Sequence, residues 1–123
     1  MQRLSACGPP AALLGIWVAL MPAPAAAHAI IVAASPAVDA VLHGPAIPVL
    51  LRFNSRIDRE RSRLSLIGPS GSTEVVSLAA AAGPDSLTAT LDGLAPGQYR
   101  LRWQVLGVDG HITRGDIPFA VAP

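Results

Sequence analysis

Three residues of this chain combine the chemistry of metal donors with suggestive placement: His28 near the start, and Asp109 with His111 near the end. His28 follows Ala25-Ala26-Ala27, so cleavage after Ala27 makes a histidine the first residue of the mature protein. A first-residue histidine offers two nitrogens, the free α-amine and the imidazole Nδ1, which close a chelate ring with both donors already oriented. Asp109-Gly110-His111 supplies a carboxylate oxygen and a second imidazole nitrogen. The set is nitrogen-rich and free of sulfur, and its tetragonal N,O character suits one Cu(II), the ion at the top of the divalent affinity order. Alone, Asp-Gly-His is a common surface turn, and a histidine at a cleavage site can be chance. Their coincidence in a chain with only three histidines is what points to a metal. The amine and the imidazoles bind only when deprotonated, so copper affinity is expected to fall as pH drops below neutrality.

His28 can serve this way only if residues 1–27 are removed, and they have the order of a secretory signal peptide. Arg3 precedes an apolar stretch from about Ala11 to Met21, and small residues at Ala25 and Ala27 form an A-x-A site. The stretch is short for a membrane span, and no stop-transfer pattern follows, which argues against a retained anchor. Cys7, Met1 and Met21 all lie in this segment. Removing 27 of the 123 residues leaves a domain of 96, residues 28–123, without cysteine or methionine. Eight arginines balance eight acidic residues there, with no lysine, which gives no ground for nucleic-acid binding. The expected product is a small exported domain, not embedded in the membrane after processing. Its core needs no disulfide or structural metal, so a bound ion is expected to be cargo.

The elements that must hold the donors are strands. Between Gln98 and Val105, Tyr99, Leu101, Trp103 and Val105 alternate with Arg100, Arg102 and Gln104. Ile47, Val49, Leu51 and Phe53 alternate in the same way, with Arg52 and Asn54 outward. Shorter candidates are Ile30–Ala34, Arg63–Ile67, Thr73–Leu78, Ser86–Leu91 and Ile112–Val121, where Pro118 implies an edge or a bulge. Turns separate them at Gly68-Pro69-Ser70-Gly71, Gly83-Pro84-Asp85, Asp92-Gly93 and Ala95-Pro96-Gly97. About seven short strands predict an all-β, immunoglobulin-like Greek-key sandwich, and Tyr99 is placed for a tyrosine corner. Ala79–Ala82 is too short for a stable helix and is expected to be a loop. Asp109 and His111 then converge either as same-face residues of one strand or from a turn bent at Gly110.

The other polar residues carry less. His43 lies in the turn-like Leu42-His43-Gly44-Pro45 and is expected to be solvated, with an extra ligand as the alternative. Asp116 is expected to be a solvated turn carboxylate, with orienting a metal ligand as its alternative role. Arg52, Arg56, Arg59, Arg61 and Arg63 fall within twelve residues, interrupted by Asp58 and Glu60. The default is a solvated face; the alternative is a docking surface for an acidic partner or lipid headgroups. Tyr99 and Trp103 belong to the core and are assigned no catalytic role.

In this order and spacing the chain resembles the CopC-type periplasmic copper-binding proteins of copper resistance. The resemblance runs from His28-Ala29 through Ser35-Pro36-Ala37, Leu50-Leu51-Arg52-Phe53-Asn54 and Leu94–Trp103 to Val108-Asp109-Gly110-His111 and Gly115–Val121. It implies a cupredoxin- or immunoglobulin-like sandwich that binds Cu(II) in the periplasm, with His28, Asp109 and His111 as ligands. Some members carry a methionine-rich Cu(I) site; the mature chain has no thioether to build one. Gly107-Val108 stands where many relatives have a Ser-Ala-like pair. The family often works beside a CopD-type membrane copper transporter, here expected to be a separate chain.

The expected function is therefore non-enzymatic: sequestration or delivery of one Cu(II). A copper enzyme of the histidine-brace, polysaccharide monooxygenase-like kind is the first alternative. The chain is short for that role and shows no flat aromatic surface, and Asp109 occupies a position that oxygen chemistry needs open. A metal-free exported interaction module using the arginine-rich segment is the second.

Overall fold

Alternation decides which face of each long strand is buried, and the computed structural model follows it closely. The structure describes residues 29–123 together with Gly8 and Gly15. Apart from those two glycines, the expected signal segment lies outside the described residues, and so does His28. Among those described there is no helix, and eight strands form two sheets. They are β1 (Ile31–Ser35), β2 (Ala40–Leu42), β3 (Ala46–Phe53), β4 (Ile57–Ile67), β5 (Thr73–Val76), β6 (Ser86–Asp92), β7 (Gly97–Gly107) and β8 (Ile112–Val121). One sheet has the order β1-β3-β6, the other β2-β8-β7-β4-β5. No described helix is long and apolar enough to cross a membrane.

The inward residues of both sheets make one core. Leu51 and Phe53 of β3 and Leu87 of β6 face Leu64 of β4, Leu101 and Val105 of β7, and Phe119 of β8. Across the sheets the Phe53 and Trp103 rings meet edge-on, centroids 5.3 Å apart. Such a pair adds about 0.5–1.5 kcal/mol beyond its buried area. The Tyr99 hydroxyl donates to the Ala95 carbonyl at 2.7 Å, the expected corner, while its ring stacks on Phe119.

The eighth strand is β2, which three residues are too few to announce by alternation. It pairs in parallel with only Phe119–Val121 of β8, so the rest of β8 is an edge. Pro118 sits at that boundary: its carbonyl accepts the Asp39 N–H from the β2 side, the side its missing N–H would face. Strand β4 begins six residues earlier than Arg63 because Arg59–Ser62 bulge against the single residue Val105, which hides the period. The Ser62 hydroxyl repairs the ladder, donating to the Asp58 carbonyl at 2.6 Å and accepting the Leu106 N–H at 3.3 Å. Residues 79–82 form a loop, stitched to β6 by Ala79 N–H to the Thr88 carbonyl and the Thr88 hydroxyl to the Ala80 carbonyl.

Candidate metal centre

The β7–β8 connection is a tight turn, and this settles how Asp109 and His111 approach each other. The Gly107 N–H donates to the His111 carbonyl at 2.8 Å, and the Gly110 N–H to the Gly107 carbonyl at 2.9 Å. Gly110 has φ +86°, a conformation that side chains resist and glycine accepts. The chain thus turns back at Gly110, and the strand alternative does not apply.

Within the turn, Asp109 holds His111 at two points. Its Oδ1 accepts the His111 backbone N–H at 3.1 Å, and its Oδ2 lies 3.1 Å from the imidazole Nδ1. The backbone donor, followed by the imidazole, keeps the Asp109 carboxyl below the usual carboxylate range, so it is an anion at neutral pH. The contact at Nδ1 turns Nε2 away from the carboxylate. Each carboxylate oxygen has a further lone pair, so Asp109 can orient the imidazole and still contribute to a metal. Gly107 makes room for this: a Cβ there would stand 2.7 Å from Asp109 Oδ1.

At the same end of the sandwich the N-terminal strand is clamped by a residue that sequence reasoning left without a role. The Ile30 N–H donates to Asn54 Oδ1 and the Asn54 N–H returns to the Ile30 carbonyl, both at 2.9 Å. Three residues on, Ile57 pairs with Gly107, the first residue of the turn's frame. Ala29 is 2% exposed and belongs to the core. Asn54 ends an alternating strand with a short amide, the one signal that it folds back on a neighbour.

The remaining candidates lie elsewhere. His43 is exposed beside the far end of β8, where Ala122 N–H meets the Leu42 carbonyl. The ten residues of β8 separate it from the turn by roughly 30 Å, so it adds no ligand there. Asp116 is within strand β8 and accepts two bonds from Arg102, at 2.9 and 3.1 Å, with Arg100 at 3.6 Å. It neither orients His111 nor sits in a solvated turn. The five clustered arginines disperse: Arg52 points outward from the first sheet, Arg56 is exposed in the connection between β3 and β4, Arg59 donates to the Ala79 carbonyl, Arg61 pairs with Asp58, and Arg63 faces outward on the second sheet. Among the described residues, no three His, Cys, Asp or Glu side chains stand close enough to hold a metal. Of the candidate residues, Asp109 and His111 are the two that the described structure brings together.

Comparison with protein families matches residues 31–122 to the CopC domain. The chain belongs to the CopC family. The crystal structure of CopC from Methylosinus trichosporium OB3b is similar, at 33% identity and TM-score 0.66, over 78% of this chain and 95% of that one. So is PcoC, a methionine-rich copper resistance protein from Escherichia coli, at 27% identity and TM-score 0.61, over 77% and 99% of the two chains. Comparison with curated proteins gives no match. Membership puts this CopC chain among copper resistance proteins rather than enzymes. It is not a methionine-rich CopC: its two methionines are Met1 and Met21.

Proposed function

We propose that the chain is exported to the periplasm, cleaved after Ala27, and there binds one Cu(II) for sequestration or delivery. The ligands are the α-amine and Nδ1 of His28, a nitrogen of His111 and an oxygen of Asp109. The observation that carries this reading is the Asp109–His111 turn, whose carboxylate and imidazole are 3.1 Å apart at the end of the sandwich where Asn54 clamps Ile30. In the sequence His28 directly precedes Ala29, a buried residue of the core. The donors supply hard and borderline atoms in a tetragonal set, which favours Cu(II) over Cu(I), for which soft thioethers are needed. The carboxylate lowers the net charge of the bound ion and fixes the imidazole ring against rotation. A separate CopD-type membrane transporter is the partner this function calls for.

The deciding experiment is Cu(II) titration of the processed protein, with its N-terminus verified by mass, followed by electron paramagnetic resonance. One tight site is expected, with a tetragonal signal and nitrogen hyperfine structure that His111→Ala abolishes. A chain carrying one residue before His28 should lose most of its affinity. Equal affinity in that extended chain, or a signal indifferent to His111, overturns the ligand set.

A further inference from the structure

Three strands of the second sheet assemble a basic face that no stretch of sequence displays. Arg63, Gln104 and Arg114 form one row across β4, β7 and β8; Ser65, Arg102 and Asp116 form the next, and Ile67, Arg100 and Pro118 the third. Four arginines face one aspartate, a net charge of +3 on the three rows. Asp116 is committed to Arg102 and Arg100. Arg63 and Arg114, by contrast, form no ion pair or side-chain hydrogen bond with any described residue, and they flank Gln104 from both sides. Beyond the first row Asp58 and Arg61 offset each other. The first two rows, with Thr73 and Gly115, line a concavity of about 590 Å3, and the third row lies just beyond it.

We propose that this groove docks an acidic, extended segment of a partner protein. Same-face residues along β7 recur about every 6.8 Å, the repeat of alternate side chains in any extended strand. Carboxylates on every second residue of a ligand strand therefore meet the rows at Gln104, Arg102 and Arg100 in register. Arginine's planar fork suits a carboxylate, and the Gln104 amide adds a donor between Arg63 and Arg114. The concave floor fits a strand better than a plane of lipid headgroups. At the groove's end towards the Asp109–His111 turn, Val108 is 69% and Ile112 55% exposed, offering an apolar contact to whatever docks. A partner held here has one end beside that turn, yet the docking itself does not depend on metal.

The test uses metal-free protein purified from cells expressing the full chain and a fluorescein-labelled synthetic peptide alternating glutamate and threonine. Saturable, salt-sensitive binding is expected, at least about tenfold weaker when Arg63→Glu and Arg114→Glu are combined. Arg52→Glu, on the opposite sheet, should leave it unchanged. Arg114→Gln, on the open edge of β8, gives the same direction of change if the double variant fails to fold. No peptide binding, equal loss from Arg52→Glu, or binding of phosphatidylglycerol vesicles without peptide binding each overturns the proposal. An alternating lysine–threonine peptide that binds equally well does so too.

Discussion

The Asp109 carboxylate holds His111 from two directions, one oxygen on its backbone N–H and the other 3.1 Å from its imidazole Nδ1. A two-residue separation would leave the imidazole to rotate freely; this grip sets the ring plane and the nitrogen edge it presents. The arrangement depends on residues that are not donors, and these give the sharpest tests.

Gly107→Ala puts a methyl 2.7 Å from Asp109 Oδ1, which must swing away. The backbone of the turn has other bonds, so stability should change by no more than about 1 kcal/mol. Copper affinity should fall by about tenfold or more, the usual loss when the support of a ligand is removed. Isothermal titration beside a urea melt separates the two, and unchanged affinity would show that the carboxylate's position is immaterial.

Asn54→Ala removes the acceptor for the Ile30 N–H. The lost bond should cost about 1 kcal/mol of stability. If the clamp aligns the N-terminal residue with the turn, Cu(II) dissociation should also accelerate, measured by transfer to a chelator. A dissociation rate equal to the parent's would reduce Asn54 to a purely structural residue.

Gly115→Ala tests the core behind the basic face. The Trp103 ring lies over Gly115, and a Cβ there would approach its atoms to 2.6–2.9 Å. The ring is also packed edge-on against Phe53, which limits its retreat. Overpacking of this kind costs about 1–3 kcal/mol, so the urea midpoint should drop clearly. A midpoint matching the parent's would mean the ring repacks without strain.

The Asp116 carboxyl is held below the usual carboxylate range by the two bonds from Arg102, with Arg100 adding to it. The folded state therefore binds fewer protons than the unfolded chain near pH 4. Its contribution is complete above the unfolded value of about 3.9 and is lost as pH falls through the lower folded one. The pair is partly exposed, so the contribution is small. Asp116→Asn should melt slightly below the parent at pH 7, by a gap that narrows as pH is lowered below the unfolded value. A gap that does not change as the pH is lowered would assign the difference to packing instead of charge.

Much of this was legible in the residues themselves. Period-two alternation from Ile47 to Phe53 and from Tyr99 to Val105 selects buried and exposed faces, because a strand has only two. Glycine at 110 permits the return of the chain, and donor chemistry singles out Asp109 and His111 as candidates, while the role proposed for His28 rests on donor type and on Ala25-Ala26-Ala27 before it. Tertiary structure alone decided what depends on distant neighbours. Ala40–Leu42 is a strand only because the end of β8 offers an open edge. Asn54 matters because it meets Ile30, twenty-four residues away. Five arginines within twelve residues scatter, whereas Arg63, Arg100, Arg102 and Arg114 gather, because strand pairing brings residues about fifty positions apart within two strand spacings. Local pattern fixes which way a side chain points; pairing and register, which no local pattern contains, fix what it points beside.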